Sequence, residues 1–186
     1  MNALTIFCDG ACINNGKKNA KAGFGLYILS GKTELHRCSF RVPPSEMQTN
    51  QRAELRALLY ALQFIDLNTP ESEGGSKKHT ETKCISVDPL AELAISKRRP
   101  IIYTDSQYGI NCLTKWAPKW AAAGWKKADK SPIMHLDIIK TAIEIMRRIA
   151  VELEHVSAHT GGKDFKSVGN AVADELARAG VELHKS

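Results

Sequence analysis

The spacing of apolar residues along this chain of 186 residues changes several times, and each change marks an element. Residues 4–9 (LTIFCD), 23–29 (GFGLYIL) and 33–42 (TELHRCSFRV) alternate or run apolar and β-prone, and Gly31-Lys32 reads as the tight turn between the last two. They predict a three-stranded antiparallel meander, which Pro43-Pro44 closes. The stretch between the first two strands, GACINNGKKNAKAG, reads as a turn-rich loop. A helix is predicted over 49–65, where Leu55, Leu58, Leu59, Leu62 and Ile65 recur at spacings of three and four behind Thr49 or Asn50 as N-cap. Residues 101–104 form a short apolar strand, and a helix is expected from about 106 to 115. Residues 133–149 are an amphipathic helix, 150–157 alternate as a strand, and 167–183 form the last helix. The order predicts an α/β fold, a mixed sheet of five strands with helices on its faces. A single domain over 1–186 is expected, with an insertion at about 66–99 and a protrusion at about 115–132.

Between Asp66 and Arg99 the chain is polar and rich in Gly and Ser, with six basic and six acidic residues, so it carries no net charge of its own. It reads as a mobile loop, with a short helix over 88–96 starting at Pro89. The overall charge of +6 suggests an anionic partner, and its distribution sharpens the suggestion. Residues 115–130 hold five lysines against Asp129, together with Trp116, Trp120 and Trp125. No run approaches the ~18 apolar residues of a membrane span. The N-terminus has no basic segment followed by a cleavage site, and five cysteines without a Cys-x-x-Cys pair fit neither a disulfide framework nor a zinc site. An intracellular protein, cytoplasmic or nuclear and not secreted, is expected.

Four acids stand in similar settings. Asp9 ends the first strand, Asp105 ends the fourth, Glu54 lies within the first helix, and Asp174 lies beside apolar Val172 and Ala173 in the last. Each has an ordinary reading. Asp105 with Ser106 could cap a helix, and Glu54 could be a solvated residue favoured by the helix dipole. Four carboxylates together would repel one another unless divalent cations held them, and an oxygen-only set suits Mg²⁺ or Mn²⁺. Two such ions can promote hydrolysis of a phosphodiester. The local sequence leaves both readings open.

The segments FCDGACINNG, TNQRAEL, YTDSQY, GWKKADKSP, HVSAHTG and NAVADELARAG follow one another in an order that closely resembles type 1 ribonucleases H of the cellular kind, over nearly the whole chain except about 66–99. The resemblance implies hydrolysis of the RNA strand of an RNA/DNA hybrid with two Mg²⁺ ions, Mn²⁺ substituting, to leave 5′-phosphate and 3′-hydroxyl ends. It assigns Asp9, Glu54, Asp105 and Asp174 to the metal. His159 is assigned to proton transfer or product release, although by its surroundings alone it is a surface loop residue. His155 is expected to pack within its strand. Gly10, Asn50, Gln51 and Ser106, with Asn15 and Gln107, correspond to groups that recognise the 2′-hydroxyl. The Trp/Lys stretch resembles a basic protrusion that grips the DNA strand through Lys126, Lys127 and Trp116, while Trp120 and Trp125 pack it onto the domain.

Departures from the family pattern are visible too. Ala121, Ala122 and Ala123 replace a basic run. Thr49 matches the threonine of a DNA-phosphate pocket, but Met47 and His135 replace its arginine and asparagine. The loop before the last helix is longer than in bacterial relatives and carries Lys163 and Lys166. An N-terminal hybrid-binding domain is not expected. A monomer is expected, with a protein partner docking on the insertion as a further reading.

Overall fold

The computed structural model describes residues 4–69, 99–158 and 161–183. The element order is β1 (Leu4–Ile13), β2 (Lys21–Ser30), β3 (Thr33–Arg41), α1 (Asn50–Asn68), β4 (Ile101–Thr104), α2 (Gln107–Asn111), a π-helical turn (Cys112–Trp116), α3 (Ala117–Ala122), α4 (Leu136–Met146), β5 (Glu152–His155) and α5 (Phe165–Glu182). The strands form one mixed sheet in the order β3-β2-β1-β4-β5. The meander is antiparallel, and β4 and β5 add to it in parallel.

Alternation along β1 decides what lies on each face of the sheet. Leu4, Ile6 and Cys8 are buried against the leucines of α1, all five predicted apolar positions of which are buried. Each fully buried leucine contributes roughly 1.5–3 kcal/mol. Phe7 faces the other way and is buried with Leu29, Tyr103, Val156 and Ala173. Its ring stacks on Tyr103 at 4.9 Å, and Gly169 of α5 lies against it so closely that a Cβ there would come within 2.3 Å. Gly25 of β2 meets the backbone of α5 at Ala177 in the same way. Glycine at these contacts lets α5 settle directly on β1 and β2.

Several boundaries differ from the pattern. β1 does not stop at Asp9 but pairs with β2 as far as Ile13↔Lys21; the turn begins only at Asn14, in the left-handed region together with Gly16. α1 runs past Ile65 into the polar residues 66–68, because Asn68 Nδ2 and Thr69 Oγ1 donate to the carbonyls of Phe64 and Ile65, both at 2.7 Å. The remainder of the insertion, 70–98, including the expected helix at 88–96, lies outside the described residues. The single helix expected over 106–115 is shorter and is followed by the π turn. Pro118, at the start of α3, cannot donate to the carbonyl of Thr114, and the widened turn spans that position. α4 begins at Leu136 rather than 133, since His135 takes φ 58°. β5 is confined to 152–155, and α5 begins earlier than predicted, at Phe165, capped by Asp164.

Candidate active site

The parallel register of β1 with β4 runs Thr5↔Ile101, Ile6↔Ile102, Phe7↔Tyr103. Two residues beyond the last pair, Asp9 and Asp105 come level on the face that carries Phe7 and Tyr103, which is the face under α5. Asp174 enters from α5. Glu54 reaches the same end of the sheet from the opposite face, because Gly10 has no side chain where α1 crosses: a Cβ on Gly10 would sit 2.3 Å from the Glu54 nitrogen. The structure therefore brings Asp9, Glu54, Asp105 and Asp174 close enough for their charges to act on one another. Burial, followed by the charge of Asp105, pushes the Asp9 carboxyl up to about 8; Asp174 and Glu54 act in the same direction, and the Gly10 N–H, donating to Asp9 Oδ1 at 2.7 Å, opposes them.

Glu54 is also raised, first by burial, then by Asp105, against two hydrogen bonds that favour its ionised form. Ser106 Oγ donates to Oε2 at 2.5 Å and Asn50 Nδ2 to Oε1 at 2.7 Å. Ser106 also caps α2, its Oγ accepting from the Gly109 N–H at 3.0 Å, so the cap anticipated at Asp105 or Ser106 falls on Ser106. Asp105 is left for the cluster. Its Oδ2 accepts from Asn170 Nδ2 at 3.3 Å, and its backbone carbonyl accepts from His155 Nε2 at 3.1 Å. His155 was expected to pack within its strand; it is exposed and turned to the site instead. Asp174 pairs with Arg178 at 2.9 Å.

The donor set is oxygen-only and its charges are mutually repulsive, which fits hard divalent cations. As placed, however, no three His, Cys, Asp or Glu side chains among the described residues already close around one point as ligands. The raised carboxyl of Asp9 gives a stability test with a definite sign. An unfolded aspartate loses its proton near 3.8, and the folded one near 8. Without divalent cations the unfolded state is therefore favoured progressively as pH rises from about 4 to about 8. Asp9→Asn removes that penalty: in EDTA its melting temperature should exceed that of the native chain by several degrees at pH 8 and converge with it towards pH 4, as read by thermal melting.

The other residues singled out from the sequence separate into two groups. Thr49 is the N-cap of α1, accepting from the Arg52 N–H at 3.2 Å, and Asn15 Oδ1 accepts from the Asn50 N–H at 3.2 Å; both shape the turn before Glu54. Ser106 has its N–H, hydroxyl and carbonyl all engaged within the protein. Gln51 and Gln107 remain exposed, the side chain of the latter donating to Asn111 Oδ1 at 3.3 Å. Gln51 lines an open groove of about 380 Å³ with Tyr108, Trp116, Trp120, Lys127 and Met134. Trp116 is 36% exposed in it, while Trp120 and Trp125 pack against the core, the latter under Lys140. Lys126, the chain neighbour of Lys127, is exposed, and His159 lies outside the described residues.

Of the two residues that replace the arginine and asparagine of the expected phosphate pocket, Met47 is exposed and His135 is buried. Beneath them lies an ion cluster that was not apparent from the sequence. Arg52, 6% exposed, donates to both carboxylate oxygens of Asp137 at 2.7 and 2.5 Å and to Glu46 at 2.7 Å, and Arg56 also pairs with Glu46. The cations at the start of α1 are thus neutralised within the chain.

The RNase H family model matches residues 1–182. Ribonuclease H of Crithidia fasciculata is 31% identical over 96% of this chain and 43% of its own length, and that of Schizosaccharomyces pombe is 33% identical over 95% and 52%. The chain thus spans about half the length of these relatives. Ribonuclease H of Cupriavidus necator, 29% identical, is covered over 97% of its length. Among solved structures, the RNase H domain of PFV matches with a TM-score of 0.71 at 21% identity, over 97% of this chain and 94% of that one. LC9-RNase H1, a type 1 RNase H, matches with a TM-score of 0.64 at 22% identity, over 97% and 72%. The fold is shared with both, and by the extent of the sequence match this chain belongs to the RNase H family.

Proposed function

We propose that this chain is an endonuclease that hydrolyses the RNA strand of RNA/DNA hybrids, with Asp9, Glu54, Asp105 and Asp174 as the residues that hold its divalent cations. The observation that carries the reading is the meeting of these four acids, from two strand ends and two helices, at one end of the sheet. When bound, two Mg²⁺ ions supply neutralisation of charge on the scissile phosphate and make water a better nucleophile. The chain's part is to hold the acids in place and present the substrate. Ser106 and Asn50 fix both oxygens of Glu54, and Gly10 fixes Asp9. The exposed side-chain amides of Gln51 and Gln107 are offered as the groups that read the 2′-hydroxyl, Gln107 by exchanging its long contact to Asn111, the 2′-hydroxyl being the group that separates RNA from DNA. The groove floored by Trp116 and edged by Lys127 suits the DNA strand, with sugar faces on the indole and phosphates near the lysines. His159 would assist proton transfer. Cleavage is expected to leave 5′-phosphate and 3′-hydroxyl ends.

The test is a panel of labelled duplexes (RNA/DNA, RNA/RNA and DNA/DNA) incubated with Mg²⁺ over a salt series. Only the RNA strand of the hybrid should be cut, more slowly as salt rises at limiting substrate. Equal cutting of all three duplexes, or cutting of none, would overturn the proposal.

A further inference from the structure

Asn170 precedes Asp174 by one turn of α5, so the two side chains leave the same face of the helix. It is 4% exposed. Its Nδ2 donates to Asp105 Oδ2 at 3.3 Å, while its Oδ1 is buried with no partner among the described residues. A buried amide with an unmet acceptor costs the fold stability, so packing alone does not account for asparagine here. The orientation of the amide is fixed by its partner, since the flipped form would set its oxygen against a carboxylate.

We propose that Asn170 is a positioning residue for Asp105, holding that carboxylate toward Asp9 while adding no charge of its own. This rests on the proposed role of the four acids. The backbone of Asp105 is held separately: β4 and β5 pair up to Thr104↔His155, and the His155 ring bonds the Asp105 carbonyl. That leaves the Asp105 side chain, which repulsion from Asp9 and Glu54 would rotate away. A lysine or arginine at position 170 could hold it only by neutralising it and competing with cations, and an acid would add to the repulsion. A neutral donor with the reach of asparagine does neither. The i, i+4 link to Asp174 makes one helix face set two of the four acids at once.

Asn170→Leu, which keeps the shape and removes both polar ends, tests this in the full chain. Asn170→Ala, which only deletes atoms, gives the same reading where leucine packs badly. The measurement is the thermal midpoint as a function of Mg²⁺ concentration, followed by hybrid cleavage over the same range. The midpoint without cations should be equal to or above that of the native chain. The Mg²⁺ needed for half of the stabilisation, and for half of the maximal rate, should rise about tenfold, the low end of what a hydrogen bond to a charged group contributes. An unchanged Mg²⁺ requirement would overturn the proposal. So would a fall in the cation-free midpoint in both variants, which would mark Asn170 as a packing residue. Asp105→Asn in the same titration separates the two levels: if it too leaves the Mg²⁺ response unchanged, the assignment of the acids fails, and if it alone weakens the response, only the role of Asn170 fails.

Discussion

Asp105→Asn should lower single-turnover cleavage of an RNA/DNA hybrid on the order of a thousandfold, equivalent to about 4 kcal/mol of transition-state stabilisation, while the chain stays folded. The side chain keeps its size, and its contact to Asn170 and the His155 bond to its backbone do not depend on a second carboxylate oxygen. What is lost is a negative charge beside Asp9, at the end of the sheet where β1 and β4 come level. The melting temperature should remain within a few degrees of the native chain, so the loss cannot be traced to unfolding. Cleavage by the variant at the native rate would show that the acid cluster does not carry the reaction.

Gly10→Ala should damage both the fold and the candidate site with a single methyl group. Its Cβ would lie 2.3 Å from the Glu54 nitrogen and 2.4 Å from the Ala53 carbonyl carbon, both backbone atoms of α1 that no rotamer change can move. The helix must shift away from β1, and Glu54 goes with it. A loss of about 3 kcal/mol is expected, the upper end of ordinary overpacking. That corresponds to a fall of roughly 10 °C in melting temperature for a chain of this size. Cleavage should drop with it even at temperatures where the variant is folded, because Glu54 is displaced. Gly16→Ala serves as the comparison. It has φ 79° but open space around it, so it should cost only the backbone penalty of about 1–2 kcal/mol and leave cleavage intact. Equal stability of Gly10→Ala and the native chain would contradict the close crossing of α1 over β1.

The sheet and its main helices were legible because burial on one face leaves a period in the sequence. The leucines of α1 and the alternation in β1 and β2 are of this kind, whereas the places of the four acids left a cap or a solvated residue open, and only the resemblance of the motifs around them assigned them to one site. What could not be read were features fixed by residues far apart in the chain or by local backbone geometry. Glu54 is held by Ser106, 52 residues away, and Arg52 by Asp137, 85 residues away, and neither pair leaves a local pattern. The left-handed turn at His135, which delays α4, has no glycine to announce it. β1 was cut short because GACI lacks the bulk of a typical strand, yet it pairs fully with β2. Asn170 did carry a signal, its spacing of four from Asp174, but one polar residue on a helix has too many ordinary uses for spacing alone to select it.

The most direct measurement follows a hybrid with one labelled RNA strand under single-turnover conditions, in Mg²⁺ and then in EDTA, with the chemical ends of the products determined. A metal-dependent centre built on Asp9, Glu54, Asp105 and Asp174 predicts RNA fragments bearing 5′-phosphate and 3′-hydroxyl ends in Mg²⁺ and intact RNA in EDTA. Cleavage that persists in EDTA, or that leaves 2′,3′-cyclic phosphates, would contradict it.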